Sequence, residues 1–387
     1  MEEQFIFKKQ YRNILVLAIL TGLLGSLAAL FIFKPDASRV WANVLLNNQY
    51  FLGISLGGAF FLAVHRIAWS GWHTALQRLP ESMTTFLPIA FGLMLLVFFG
   101  MHDLYHWSHF EGQDAVLEGK KAWLNVPFFF VRMVLYFAGW IGLTWMMRKN
   151  TDSLMDSADL KFHNRRKVYA ALFLVFYALT VSASSWDWLM SIDAHWFSTI
   201  FGWYVFIGMF VNSIAFIILL IWFLKQAGYL AFIRTDHIHD LGKLLFAFSI
   251  FWTYLWFSQY LLIWYGHIPE ETTYYIQRHE GFQLVFFLNL GLNFVIPFFA
   301  LMKLQSKRQL NWLAGIAAIV MIGHWIDYFQ MIMPGAAGED ARIGVLEFSV
   351  TILYAGLFLF VVFRSLASKP LIVRNDPFLE ESLHYES

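Results

Sequence analysis

Ten apolar runs divide the chain, at approximately residues 12–33, 44–66, 83–103, 123–147, 168–190, 198–224, 243–266, 281–302, 311–332 and 344–366. A helix needs about 20 mostly apolar residues to cross a hydrocarbon core of roughly 30 Å, so each run is long enough to span a bilayer. Within lipid the backbone must satisfy its own hydrogen bonds, and runs of this length fit helices rather than the alternating ten-residue strands of a barrel. The predicted fold class is an all-α integral membrane protein with ten transmembrane helices. The first run follows a short basic tail but exceeds a signal-peptide core, and nine more spans follow, so it reads as a retained helix.

Composition agrees. Of 387 residues, 59% are apolar, 19% aromatic and only 14% charged, where a water-facing domain carries about a quarter charged residues. With 27 Lys+Arg against 26 Asp+Glu and no long basic run, nucleic acid is excluded as an expected partner. The chain has no cysteine, which removes disulfides, thiolate zinc sites, iron–sulfur ligation and thioether haem attachment together. Residues 1–387 read as a single polytopic domain, because no loop is long enough to hold a soluble one.

Lys and Arg in short loops favour the cytoplasm. Alternating the spans puts 20 of the 27 on the side of the N-terminal tail, 6 on the other, and Arg132 inside the fourth run. Both termini are therefore expected in the cytoplasm. The polar stretch from Asp152 to Lys167 reads as a cytoplasmic linker.

Ionisable residues inside spans cost about 2.5–3.5 kcal/mol each on insertion scales, and they normally face a bundle interior. Here they gather toward the outer ends. The third run finishes with His102, Asp103, His106 and His109, whose imidazoles share a face if the helix continues. Arg132 lies two or three turns into the fourth, and the fifth ends at Trp186-Asp187-Trp188. The ninth carries His324 and Asp327, an i, i+3 pair, and the tenth begins with Glu347. Trp186-Asp187-Trp188 and Trp325-Ile326-Asp327-Tyr328 lie four spans apart, which suggests two related four-helix bundles: helices 2–5 (about 44–190) and 6–9 (about 198–332), with helices 1 and 10 peripheral. Gly53-Ile54-Ser55-Leu56-Gly57 is a small-residue packing motif, and the outer tryptophans are candidate interfacial anchors.

The same residues limit the chemistry. No two of the 13 histidines have the spacing used to hold paired b-type haems on one helix. His102 and His106 lack a third zinc ligand and a base, so no metal site is expected. What remains is carboxylates and imidazoles near one membrane face, a set suited to moving protons or to accepting a hydrogen bond from a quinol hydroxyl.

Two longer stretches point to a family. Ser184 through Gly202, with Trp186-Asp187-Trp188-Leu189-Met190-Ser191-Ile192-Asp193 and His195-Trp196-Phe197, resembles the second, shorter NrfD-like membrane subunit of bacterial alternative complex III. So do Asp240-Leu241-Gly242-Lys243, Trp256-Phe257-Ser258-Gln259-Tyr260 and Trp264-Tyr265-Gly266-His267-Ile268-Pro269-Glu270-Glu271. The resemblance implies a subunit of a quinol:cytochrome c (or high-potential iron–sulfur protein) oxidoreductase in the bacterial cytoplasmic membrane. It implies as partners a paralogous NrfD-like membrane subunit, an iron–sulfur subunit, multihaem and monohaem cytochrome c subunits, and in some cases a terminal oxidase. Haems and clusters then belong to those partners, and the quinone is menaquinol or ubiquinol, bound here or in the paralogue. By helix position, the quinone site of the related polysulfide reductase subunit corresponds to His102, Asp103, Arg132 and Asp187.

Two mechanisms stay open. In one, Asp187 or His102 accepts a quinol proton and Arg132 tunes the carboxylate. In the other the chain translocates protons without redox chemistry, through half-channels lined by His65, Lys243, Tyr254, His324, Asp327 and Glu347. An ion-coupled transporter acting alone is the alternative from a different class.

Overall fold

The computed structural model describes residues 3–109, 112 and 114–386. Ten helices long and apolar enough to cross a membrane dominate it: α1 (Lys9–Phe33), α2 (Ala37–Ile67), α3 (Arg78–Leu104), α4 (Val126–Asp156), α5 (Leu160–Trp188), α6 (Ile200–Gln226), α7 (Thr235–Gly266), α8 (Gln283–Leu301), α9 (Leu310–Asp340) and α10 (Val345–Ala367). Every predicted run is a helix. Among the described residues the only β pairing is an isolated bridge between Gln4 and Pro370.

Burial sorts the helices. In their most apolar stretches α2 and α6 are 78% and 83% buried and α9 72%, whereas α1 is 17% buried. The three buried helices pack on one another; α5 leans on α2 and α6, α4 on α5, α7 on α6, α8 on α7 and α9, and α1 packs along α10, with Tyr11 also meeting Phe223 of α6. Leu172, Val175 and Leu179 of α5 project outward, 52–73% exposed. Such apolar outer faces suit hydrocarbon and would be costly in water.

The seam between α2 and α6 explains the small-residue motif. A Cβ on Gly57 would stand 2.6 Å from the Met209 carbonyl oxygen and 2.6 Å from Ser213 Cβ, and one on Gly53 2.9 Å from Met209 Cγ. Only glycine lets these backbones approach so closely.

Helix ends depart from the apolar runs where polar residues stand beyond the hydrocarbon. The stretch Asp152 to Lys167 is not a linker: α4 continues to Asp156 and α5 begins at Leu160, leaving residues 157–159 between them. The Asp159 side chain accepts from Lys161 N at 2.8 Å and caps α5. Farther along, Arg166 pairs with Asp376 at 2.6 Å. Likewise α2 begins at Ala37, seven residues before its apolar run, and buries Arg39 and Asn43. The third helix stops at Leu104, followed by extended Tyr105 and a 3-10 turn over His106–Ser108, so the expected continuous imidazole face does not form.

Both termini lie at one end of the bundle. Leu371 N donates to Glu3 O at 2.8 Å, and Ser382 Oγ to Trp72 O at 2.7 Å, so the C-terminal tail crosses the end where α2 meets α3.

Candidate functional site

Three carboxylates are buried near the opposite end, at 1% exposure or less: Asp187 on α5, Asp327 on α9 and Glu347 on α10. Their partners differ in kind.

Asp187 is held by Arg132. Nε donates to Oδ2 and Nη2 to Oδ1, both at 2.8 Å; Trp123 Nε1 adds a bond to Oδ1 at 2.8 Å and Tyr136 OH one to Oδ2 at 3.0 Å. The guanidinium carbon stands 4.3 Å from the ring centres of both Trp123 and Phe128, and Nη1 donates to Trp123 O at 2.9 Å. Asn125 positions this cluster by capping α4 through Phe128 N at 3.0 Å. Bidentate Arg–carboxylate pairs are among the strongest polar contacts a protein makes. With four donors on two oxygens, the lone pairs of Asp187 are engaged within the protein.

Glu347 is held in the same way. Arg39 Nε donates to Oε1 at 2.9 Å and Nη2 to Oε2 at 2.8 Å, with Asn43 Nδ2 and Gly344 N each at 2.9 Å. Charge cancels charge, and a cap of α10 is formed as well.

Asp327 has neutral donors. Tyr204 OH from α6 and Asn289 Nδ2 from α8 (2.8 Å) reach Oδ1, and Trp252 Nε1 from α7 reaches Oδ2 at 3.1 Å. Among the described residues no Lys or Arg pairs with it. The basic side chain beside it is His324, whose Nδ1 lies 3.8 Å from Oδ2, beyond hydrogen-bond length, and neither ring nitrogen makes a hydrogen bond among the described residues. Asn293 Nδ2 extends the chain to Asn289 Oδ1 at 2.6 Å. A single π-turn, Gly291–Val295, interrupts α8 here, a departure that frequently marks function.

The Asp187 and Asp327 clusters share two helix positions. Arg132 is six residues into α4 and Asn289 six residues into α8; Tyr136 and Asn293 follow each at i+4; the carboxylates lie on α5 and α9. Where one cluster has an arginine the other has an amide. Sequence reasoning passed over Tyr204, Trp252, Asn289 and Asn293; the i, i+4 asparagines in an otherwise apolar run were the available signal.

The other expected residues lie elsewhere. His102 and Asp103 are exposed at the end of α3, with His102 Nδ1 3.1 Å from Ser108 Oγ and its ring 5.4 Å from that of His109, whereas Arg132 and Asp187 are buried. His65 is buried at the terminus-bearing end, its Nδ1 2.8 Å from Phe61 O and its ring 5.2 Å from that of His73. Lys243 pairs with Asp240 on that same end. Tyr254 is 62% exposed and stacks on Phe251. These six proton-pathway candidates therefore form separate groups, of which only His324 and Asp327 touch. Among the described residues no group of three or more His, Asp or Glu side chains is placed to hold a metal. No protein-family model matches the chain, and no curated protein matches it.

Proposed function

We infer that the chain is a membrane subunit of a respiratory quinol:cytochrome c (or high-potential iron–sulfur protein) oxidoreductase of the alternative complex III type, and that its own task is proton handling around Asp327. The motifs Ser184–Gly202 and Asp240–Glu271 support the family reading. The observation that carries the task is the contrast between carboxylates: Asp187 and Glu347 are neutralised by arginines, whereas Asp327 has uncharged donors and one imidazole. Arginine stays protonated in proteins, so an arginine-paired carboxylate has its charge balanced without a mobile proton. For Asp327, balance comes from a proton on the carboxyl or on His324.

In this reading helices 2–5 and 6–9 are two related bundles, both termini are cytoplasmic, and the first bundle's site has become a clamp. Electrons travel through haems and clusters in partner chains, and quinol oxidation takes place in the paralogous subunit. Asp327 Oδ2 and His324 Nδ1 exchange a proton across a 3.8 Å gap, which a small ring rotation closes to hydrogen-bond length. Tyr204, Trp252 and Asn289 hold the carboxylate still while it changes state.

The experiment is Asp327→Asn in the whole complex, reconstituted in proteoliposomes. Proton release per electron falls while quinol oxidation with an uncoupler stays near the parent rate. An unchanged ratio removes the proton-handling role.

A further inference from the structure

A cation-rich cavity lies in a different part of the molecule. At the terminus-bearing end, α3, α4 and the segment following α10 enclose a cavity of about 420 Å³, lined by Arg78, Arg148, Lys149 and Lys369 against only Glu81 and Asp152. Four cations against two carboxylates leave a net charge of +2.

Both carboxylates are already engaged. Glu81 Oε1 accepts from Arg66 Nη2 at 2.6 Å and Oε2 from Arg78 Nη1 at 3.0 Å; Asp152 Oδ1 accepts from that same Nη1 at 2.9 Å and Oδ2 pairs with Lys369. Arg78 Nη1 and Lys369 share these carboxylates, but other donors of the cavity are unmatched. Arg78 is 7% exposed, yet its Nε and Nη2 have no partner, and Arg148 Nε is buried and unpartnered too. Lys149 Nζ stands 5.0 Å from the Trp145 ring centre and makes no ion pair among the described residues. A buried guanidinium N–H left unmet carries a larger desolvation penalty than a neutral donor does.

Depth decides what meets these donors. The apolar run of α4 ends at Met147 and its cations begin at Arg148, while Trp145 is 50% exposed on the outer face just below. That is the boundary between hydrocarbon and headgroups, the level that Trp prefers. A ligand here has an anion at the level of Arg78 and Arg148 and an apolar body beside Trp145. We propose that this cavity binds the phosphoryl headgroup of an anionic glycerophospholipid, with its acyl chains lying against α4. Basic pockets between transmembrane helices on the cytoplasmic side have this chemistry, and free inorganic phosphate shares the headgroup's charge but not the tails.

The site is independent of the respiratory reading. Native mass spectrometry of the full chain, released from detergent with phosphatidylglycerol or phosphatidylcholine added, tests it. Phosphatidylglycerol binds one to one and is preferred, and Arg148→Gln with Lys149→Gln weakens it about thirtyfold, from roughly fivefold per cation. Lys8→Gln with Lys9→Gln, exposed cations at the same end, leaves affinity unchanged. Ser368→Glu, which adds an anion at the rim without touching the arginines, weakens binding as well. Equal affinity for the two lipids, or full binding by both cavity variants, overturns the proposal. Displacement of the lipid by millimolar inorganic phosphate overturns the lipid assignment in favour of the free anion.

Discussion

Arg132 illustrates how residue type alone misleads inside a membrane. An arginine in a span attracts a functional reading, but here both oxygens of Asp187 are filled by its fork and by Trp123 and Tyr136. Removing one member of such a buried pair strands the other, at about 3–5 kcal/mol, whereas replacing both by apolar residues is often close to neutral. Arg132→Met should therefore destabilise the protein by about that amount, and Arg132→Met with Asp187→Leu should recover most of it. Thermal unfolding in detergent measures both; a double variant as unstable as the single one shows that the pair is more than a clamp. A second residue sets a pH dependence. His73, between α2 and α3, is buried against His65, and burial pushes its imidazole well below the usual value, helped by the nearby charges of His65 and Arg66. Below about pH 6.5 the unfolded chain binds a proton that the folded site refuses, so stability present above that pH is lost as pH falls toward the depressed folded value. His73→Gln should flatten the decline of melting temperature between about pH 6.5 and 5, and an unaltered slope would assign it to other groups.

At the scale of elements, the sequence made the spans plain and left their ends obscure. Apolar runs reveal where lipid is, but α2, α4 and α7 continue through Arg39, Asp152 and Asp236, where polar residues are held by partners far away in the chain. Arg39 finds Glu347, 308 residues on, and no local pattern reports such a pairing. The Gly53-x-x-x-Gly57 motif was readable because close backbone approach demands small residues whatever the partner helix. Its weight can be measured. Gly57→Val drives side-chain atoms into the Met209 carbonyl and should prevent stable folding, while Gly142→Ala, with nothing within 4 Å, should be nearly silent. Detergent-resistant monomer on size exclusion separates the two; a well-folded Gly57→Val protein would mean that α2 and α6 can move apart freely.

Taken whole, the molecule is asymmetric from end to end. One end ties the N-terminus, the α2–α3 connection and the C-terminal tail together through Glu3, Trp72, Arg166 and Asp376; the other holds the three buried carboxylates. Asp187, Asp327 and Glu347 were legible as candidates because charges in spans are rare. Which of them lacks a cationic partner was not, since that depends on Arg39 and Arg132 being in place and on Asn289, an amide, standing beside Asp327. With no cysteine, the chain itself offers no thiolate for an iron–sulfur cluster and no thioether attachment for a haem. The central test is to purify the tagged chain from its native membrane in mild detergent and record a reduced-minus-oxidised spectrum of what co-elutes. Haem c bands accompanied by cysteine-rich subunits and a second, longer membrane chain are the expected result; a colourless protein that elutes alone contradicts the respiratory assignment and favours a self-contained transporter.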